Sequence, residues 1–129
     1  MSIDSTDSHN GPSPGLLRDP RHTITIQPSE QVWSARIGSR VLANIDRALI
    51  WTENGYTDVF YFPPEHVRFD QLGPSRSTST CPFKGTAGYF TLIDGEADIA
   101  WVYPETFDEV SEIAGHLAFY AHSVDLETL

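Results

Sequence analysis

Polar and apolar residues alternate with period two from His22 onward. The stretch HTITIQ puts Ile24 and Ile26 on one face and Thr23 and Thr25 on the other, which predicts a half-buried strand. Turn chemistry then divides the chain into hairpins. Gly38-Ser39 separates VWSARI from RVLANI, with glycine first as a type II′ turn requires, and Asn54-Gly55 separates RALIWT from YTDVFYF in the preferred type I′ form. Asp94-Gly95 joins AGYFTLI to EADIAWVY. A two-residue loop there sets Phe90 opposite Ile99 and Gly88 opposite Trp101, so that Phe90, Leu92, Ile99, Trp101 and Tyr103 share a core face, with Gly88 covered by the indole.

After Pro104 the period changes. Thr106 and Glu109 have the spacing of a capping box, and Phe107, Val110, Ile113, Ala114, Leu117, Ala118 and Ala121 recur at intervals of three and four. The expectation is one amphipathic C-terminal α-helix of about four turns packed on a sheet. Residues 1–21 are rich in Ser, Asp, Gly and Pro and are expected to form a flexible N-terminal tail, with 22–129 as a single domain. The predicted architecture is mainly β, two antiparallel sheets built from hairpins with one C-terminal helix.

Charge narrows the function. Eighteen acidic residues stand against eight basic ones, a formal net charge of −10, and such a surface repels phosphate backbones, so no nucleic-acid partner is expected. No apolar run approaches the roughly 20 residues of a membrane span, and the first residues do not read as a secretory signal. A single cysteine forms no internal disulfide, which favours a cytoplasmic location. No paired Cys or His spacing suits zinc, and no GxSxG, Walker or GxGxxG sequence occurs; neither metal nor cofactor is expected.

Two stretches carry candidate chemistry. In TSTCPFKGTAGYF, residues 78 to 90, the only cysteine, Cys81, precedes the only lysine, Lys84, by three positions. The run Ser75 to Thr80 before it reads as a loop entering a strand. Cys81 is either a thiolate nucleophile stabilised by the Lys84 cation or a small buried hydrophobe. Lys84 either meets an anionic ligand or lies in solvent at a turn. In YFPPEHVRFD, residues 61 to 70, alternation after Pro63-Pro64 places His66, Arg68 and Asp70 on one face, as a pocket wall or as a solvated ion pair. Glu112 and His116 are read as an exposed pair one turn apart on the helix.

Taken in order, YFPPEHVR, STCPFKGTAGYF, AWVYPE and EIAGHLAFY resemble the bacterial and fungal domain of unknown function 427 (DUF427) family, also described as nucleotidyltransferase-like, over roughly residues 22 to 125. The resemblance implies a β-tent, Mss4-like fold, in which two sheets meet at an angle and leave a groove; the zinc knuckles of other such proteins have no counterpart in a chain with one cysteine. The nucleotidyltransferase label calls for a Gly-Ser loop followed by a DxD pair that holds magnesium. Here Gly38-Ser39 is followed by the lone Asp46, with Arg47 and Ala48 next, so the label is not taken as a function. Carried onto this chain, the resemblance implies a groove lined by Tyr61, Arg68, Thr80, Cys81, Lys84, Tyr89, Trp101 and Tyr103. The functional expectation is a small anionic or nucleotide-like molecule bound near Cys81 and Lys84. The alternatives are an enzyme that uses Cys81 as a nucleophile or redox thiol, with Lys84 and His66 or a tyrosine in support, and an acidic protein-interaction domain.

Overall fold

The computed structural model describes residues 11–45 and 48–128. Ten strands follow a short helix: α1 (Pro14–Arg18), β1 (Ile24–Pro28), β2 (Trp33–Ile37), β3 (Arg40–Ile45), β4 (Leu49–Glu53), β5 (Val59–Tyr61), β6 (Leu72–Cys81), β7 (Gly85–Leu92), β8 (Ala100–Val102), β9 (Leu117–Phe119) and β10 (Asp125–Thr128). The molecule is mainly β and its strand pairs are antiparallel. Among the described residues, no helix is long and apolar enough to cross a membrane.

The strands form groups ordered β1-β4-β5, β10-β2-β3 and β6-β7-β8-β9. Phe62, just past β5, pairs with Leu117 of β9: the Phe62 N–H donates to the Leu117 carbonyl at 2.7 Å and the Leu117 N–H returns the bond at 2.8 Å. The first and third groups therefore join at this seam into one long sheet, β1-β4-β5-β9-β8-β7-β6. Side chains alternate across it. Phe62, Leu92, Ala100, Leu117 and Phe119 pack with Ala35, Leu42 and Ala43 of the β10-β2-β3 group. The opposite face carries Trp51, Tyr61, Ala87, Tyr103 and Ala118, with Ile24, Ile26, Cys81, Tyr89 and Trp101 packed beside them. The sheet curls so far that Lys84, in the β6-β7 turn, lies over the Trp51 ring of β4.

The expected C-terminal helix does not form. Asp108–Ile113 is a pair of 3-10 turns kinked at Val110, Ala114 is extended, and Gly115 takes φ +75, a left-handed conformation that ends any helix there. The apolar residues beyond it become β9, whose Leu117, Ala118 and Phe119 are all buried because both faces of that strand meet a core. The Glu109 carboxylate, expected in a capping box, accepts the Ser13 N–H at 2.8 Å, and the Phe107 cap position receives no side-chain bond. His116 Nδ1 lies 3.2 Å from the Ala114 carbonyl oxygen rather than in a helical pair with Glu112.

The hairpins differ in detail. At Gly38-Ser39 the loop has two residues, Ile37 facing Arg40 and Gly38 at φ +59, as the II′ form requires. Asn54-Gly55 begins a longer connection, since β4 continues to Glu53 to pair with β1 and the return strand starts only at Val59. At Asp94-Gly95 the register is one residue away from that expected. Asp94 and Asp98 both take positive φ, the loop lengthens, and Phe90 faces Ala100 while Tyr89 faces Trp101. A one-residue slip exchanges faces, so Trp101 and Tyr103 join Tyr89 rather than Phe90 and Leu92. Gly88 consequently faces Val102, not the Trp101 indole.

Ser75 to Thr80, read as a loop, lies within β6, an edge strand exposed at most of its positions, so no apolar alternation marks it. The first ten residues fall outside those described. Residues 11 to 20, read as part of the tail, carry α1, which Ser13 caps through a 3.2 Å bond from the Leu16 N–H. Ser13 Oγ and the Gly15 N–H both donate to the Pro82 carbonyl, at 2.9 and 2.8 Å.

Candidate functional site

The turn between β6 and β7 is Pro82-Phe83-Lys84, flanked by the paired residues Cys81 and Gly85. It is held from several sides. Segment 11–15 bonds Pro82 as above, the Phe107 N–H donates to the Lys84 carbonyl at 3.1 Å, and Gly85 bridges Thr106. Gly85 has φ +132, and a Cβ there would stand 3.0 Å from the Glu105 carbonyl oxygen, so the close approach requires glycine.

The clamped turn aims Lys84 at the curled sheet. Its Nζ donates to Tyr61 Oη at 3.0 Å and lies 4.4 Å from the Trp51 ring centre, 5.5 Å from Tyr61 and 5.6 Å from Tyr103. Such ring faces attract an ammonium. Among the described residues, no carboxylate comes within ion-pair distance of it. The nearby Glu53 is already engaged, accepting the Trp51 indole N–H at 3.0 Å and lying 2.7 Å from His22 Nε2. The His22 ring stacks on Phe83 at 4.4 Å, tying the end of β4 to the lysine turn. The resulting cavity of about 570 Å³ is walled by Trp51, Tyr56, Val59 and Phe83, and Glu53, Cys81 and Lys84 also line it.

Burial pulls the Lys84 ammonium below the ordinary lysine range, while the charges of Cys81, Glu53 and Tyr89 act the other way. Burial pushes the Tyr61 hydroxyl well above the ordinary phenol range, with a hydrogen bond from Trp101 in opposition and the charges of Cys81 and Glu53 in support. Tyr103 is raised in the same way, first by burial and then by Cys81 and Tyr61. Tyr61 therefore stays protonated at neutral pH.

These shifts set a stability profile. The unfolded chain keeps its lysine proton to about pH 10.4, whereas the folded chain releases it earlier, so the unfolded state binds more protons and folding is favoured as pH rises through that interval. Above about pH 10 the buried tyrosines act in the opposite sense, because the folded state then holds protons that the unfolded state has lost. The stability of the wild type relative to Lys84→Met, measured by urea unfolding, is expected to grow as pH rises from neutrality toward about pH 10. A flat difference over that range contradicts a buried Lys84.

A match to the family model described as Domain of unknown function (DUF427) spans residues 25–129. The chain belongs to the DUF427 family. Among curated proteins none matches it significantly. The family's nucleotidyltransferase-like label finds no support at Gly38-Ser39, which is a hairpin turn; Asp46 lies outside the described residues.

Six of the eight residues named from sequence share the inner face of this DUF427 sheet: Tyr61, Cys81, Lys84, Tyr89, Trp101 and Tyr103. Trp101 meets Tyr61 edge-on at 6.5 Å and Tyr120 at 4.5 Å, and the Tyr89 hydroxyl lies 2.8 Å from Ser79 Oγ. Thr80 is exposed and paired with Thr86, on the opposite side of β6 from Ser79 and Cys81. Arg68 lies elsewhere. After Pro63 the chain forms 3-10 turns at Pro64–His66 and Phe69–Gln71 instead of a strand, because Pro64 starts the first turn. Arg68 and His66 line a separate depression of about 450 Å³, and the exposed Arg68 guanidinium holds Asp70 below the usual carboxylate range. Sequence reasoning missed His22, Trp51 and Glu53. The alternation of LIWTE, with Leu49, Trp51 and Glu53 on one face, is the signal that leads to them. For metals, no group of three His, Cys, Asp or Glu side chains gathers among the described residues.

Proposed function

We propose that the cavity beneath the lysine turn binds a small anionic or nucleotide-like molecule. The observation that carries this reading is a half-buried lysine ammonium that lines a 570 Å³ cavity with no carboxylate within ion-pair distance among the described residues, Glu53 in the same wall being held by Trp51 and His22. Pockets of this size with apolar walls and few polar groups suit small ligands, and an ammonium already desolvated loses little further hydration when an anion arrives. Trp51, Tyr56 and Phe83 supply aromatic walls for a planar body. The reading takes the curled sheet as the groove of a β-tent, Mss4-like fold without zinc, in a protein of the reducing cytoplasm.

Titrations with nucleoside monophosphates and aromatic carboxylates, followed by tryptophan fluorescence and thermal shift, test it. Lys84→Met is expected to weaken binding by about 10 to 100-fold, the equivalent of one charge-assisted bond, while Arg68→Met leaves it unchanged. Equal losses in both variants, or no ligand response in the wild type, count against the pocket. Cys81 lines the same cavity, which keeps thiol chemistry as the second reading. Iodoacetamide alkylation of the folded protein that saturates well below about pH 8.5 supports it.

A further inference from the structure

We infer that the ε-amine of Lys84 forms a reversible imine with a small carbonyl compound, an aldehyde or a 2-oxo acid, held in this cavity; the inference rests on the cavity being a binding site. Imine formation asks for four things at one place. It needs an amine free of a tight ion pair, a group that passes protons at the nitrogen, room for the carbonyl compound, and poor access for bulk water.

The lysine turn supplies each. Lys84 has no carboxylate within ion-pair distance among the described residues, and its nitrogen is enclosed by the Trp51, Tyr61 and Tyr103 rings. Tyr61 Oη stands 3.0 Å from that nitrogen. Lys84 is one of the residues that line the cavity, and the clamps on Pro82, Lys84 and Gly85 fix the backbone from which the amine projects. Burial lowers the proton affinity of Lys84 and raises that of Tyr61, so the amine form becomes accessible while the phenol keeps its proton to donate. A lysine that only fills an aromatic cage needs neither the phenol contact nor an adjoining cavity.

The step balances without a further reagent. The nitrogen lone pair forms a C–N bond to the carbonyl carbon as the C=O π pair moves to oxygen. Tyr61 gives its proton to that oxygen and regains one from the nitrogen, leaving a carbinolamine. Loss of the hydroxyl as water, with the remaining nitrogen proton, gives the imine and returns Tyr61 unchanged. No oxidation or reduction occurs.

Because Lys84 is the only lysine, the test reads one side chain. The full chain is treated at pH 7 with glyoxylate and sodium cyanoborohydride beside Nα-acetyl-lysine amide, and adducts are mapped by mass spectrometry. Lys84 is expected to be trapped at least about tenfold faster than the free amide, as a depressed lysine pKa allows. Unfolding in urea should reduce Lys84 to the rate of the reference. Tyr61→Phe, shown folded by circular dichroism, should slow trapping and change its pH profile; a merely structural Tyr61 changes neither. Labelling at Lys84 no faster than the reference, or confined to the N-terminal amine, overturns the imine. If a ligand from the titrations above binds while Lys84 shows no acceleration, the pocket stands and the imine falls. Failure of both removes both.

Discussion

Replacing Trp51 by alanine is expected to lower stability by about 3–5 kcal/mol, the range for removing a large buried aromatic. Trp51 is 1 % exposed and is among the largest fully buried side chains among the described residues. Its ring meets Tyr61 edge-on at 6.3 Å, carries the Lys84 ammonium at 4.4 Å, and its N–H holds Glu53 at 3.0 Å. Three losses therefore coincide: a packed volume, a cation–π contact and the donor to a half-buried carboxylate. For a domain whose total stability is of the order of 5–15 kcal/mol, a large part of the folding free energy goes with it. Trp51→Phe retains the apolar wall and loses the indole donor, so its urea midpoint should fall between those of wild type and Trp51→Ala. A Trp51→Ala midpoint within error of wild type contradicts the packing described.

Phe62→Ala is the second large effect, also about 3–5 kcal/mol. Phe62 is fully buried, its ring contacts Phe119 at 5.7 Å, and its backbone pairs with Leu117 at the seam between β5 and β9. Tyr61 is the adjacent residue and accepts the bond from the Lys84 ammonium, so loosening the seam displaces that acceptor. Amide exchange at Phe62 and Leu117 should accelerate together. Phe69→Ala, at a position 40 % exposed, is the control that should leave both amides protected.

Hairpin positions were legible because their signals are local. Gly38-Ser39 needs only its own backbone preference, and the period-two pattern of Ile24 and Ile26 is repeated in their common core face. What failed depended on distant partners. Leu117, Ala118 and Phe119 follow a helical spacing in sequence, yet each is buried on a strand between two cores, and spacing alone does not distinguish a helix stripe from such a strand. Gly115 was the overlooked stop signal. The Asp94-Gly95 register turned on a positive φ at Asp98, which no dipeptide rule flags, and it moved Trp101 to the face of Tyr89.

The site was half legible for the same reason. The short spacing of Cys81 and Lys84 placed them on one turn, but what surrounds the ammonium comes from β4, β5 and the residue after β8. Glu53 and His22, 31 positions apart in sequence, meet only because β1 pairs with β4. Arg68 looked equivalent to Lys84 as an anion-binding cation, and the 3-10 turns after Pro63 carry it to a different depression.

The central claim is that the lone lysine lies desolvated among aromatic rings at the edge of a cavity. Protein labelled only in lysine with carbon-13 gives a single side-chain Cε signal, whose proton shifts and pH titration are read by heteronuclear NMR. The predicted result is one resonance with protons shifted upfield by the Trp51, Tyr61 and Tyr103 rings, titrating below the ordinary lysine value of about 10.4. A signal at the position of a solvent-exposed lysine, with an ordinary titration, would contradict it.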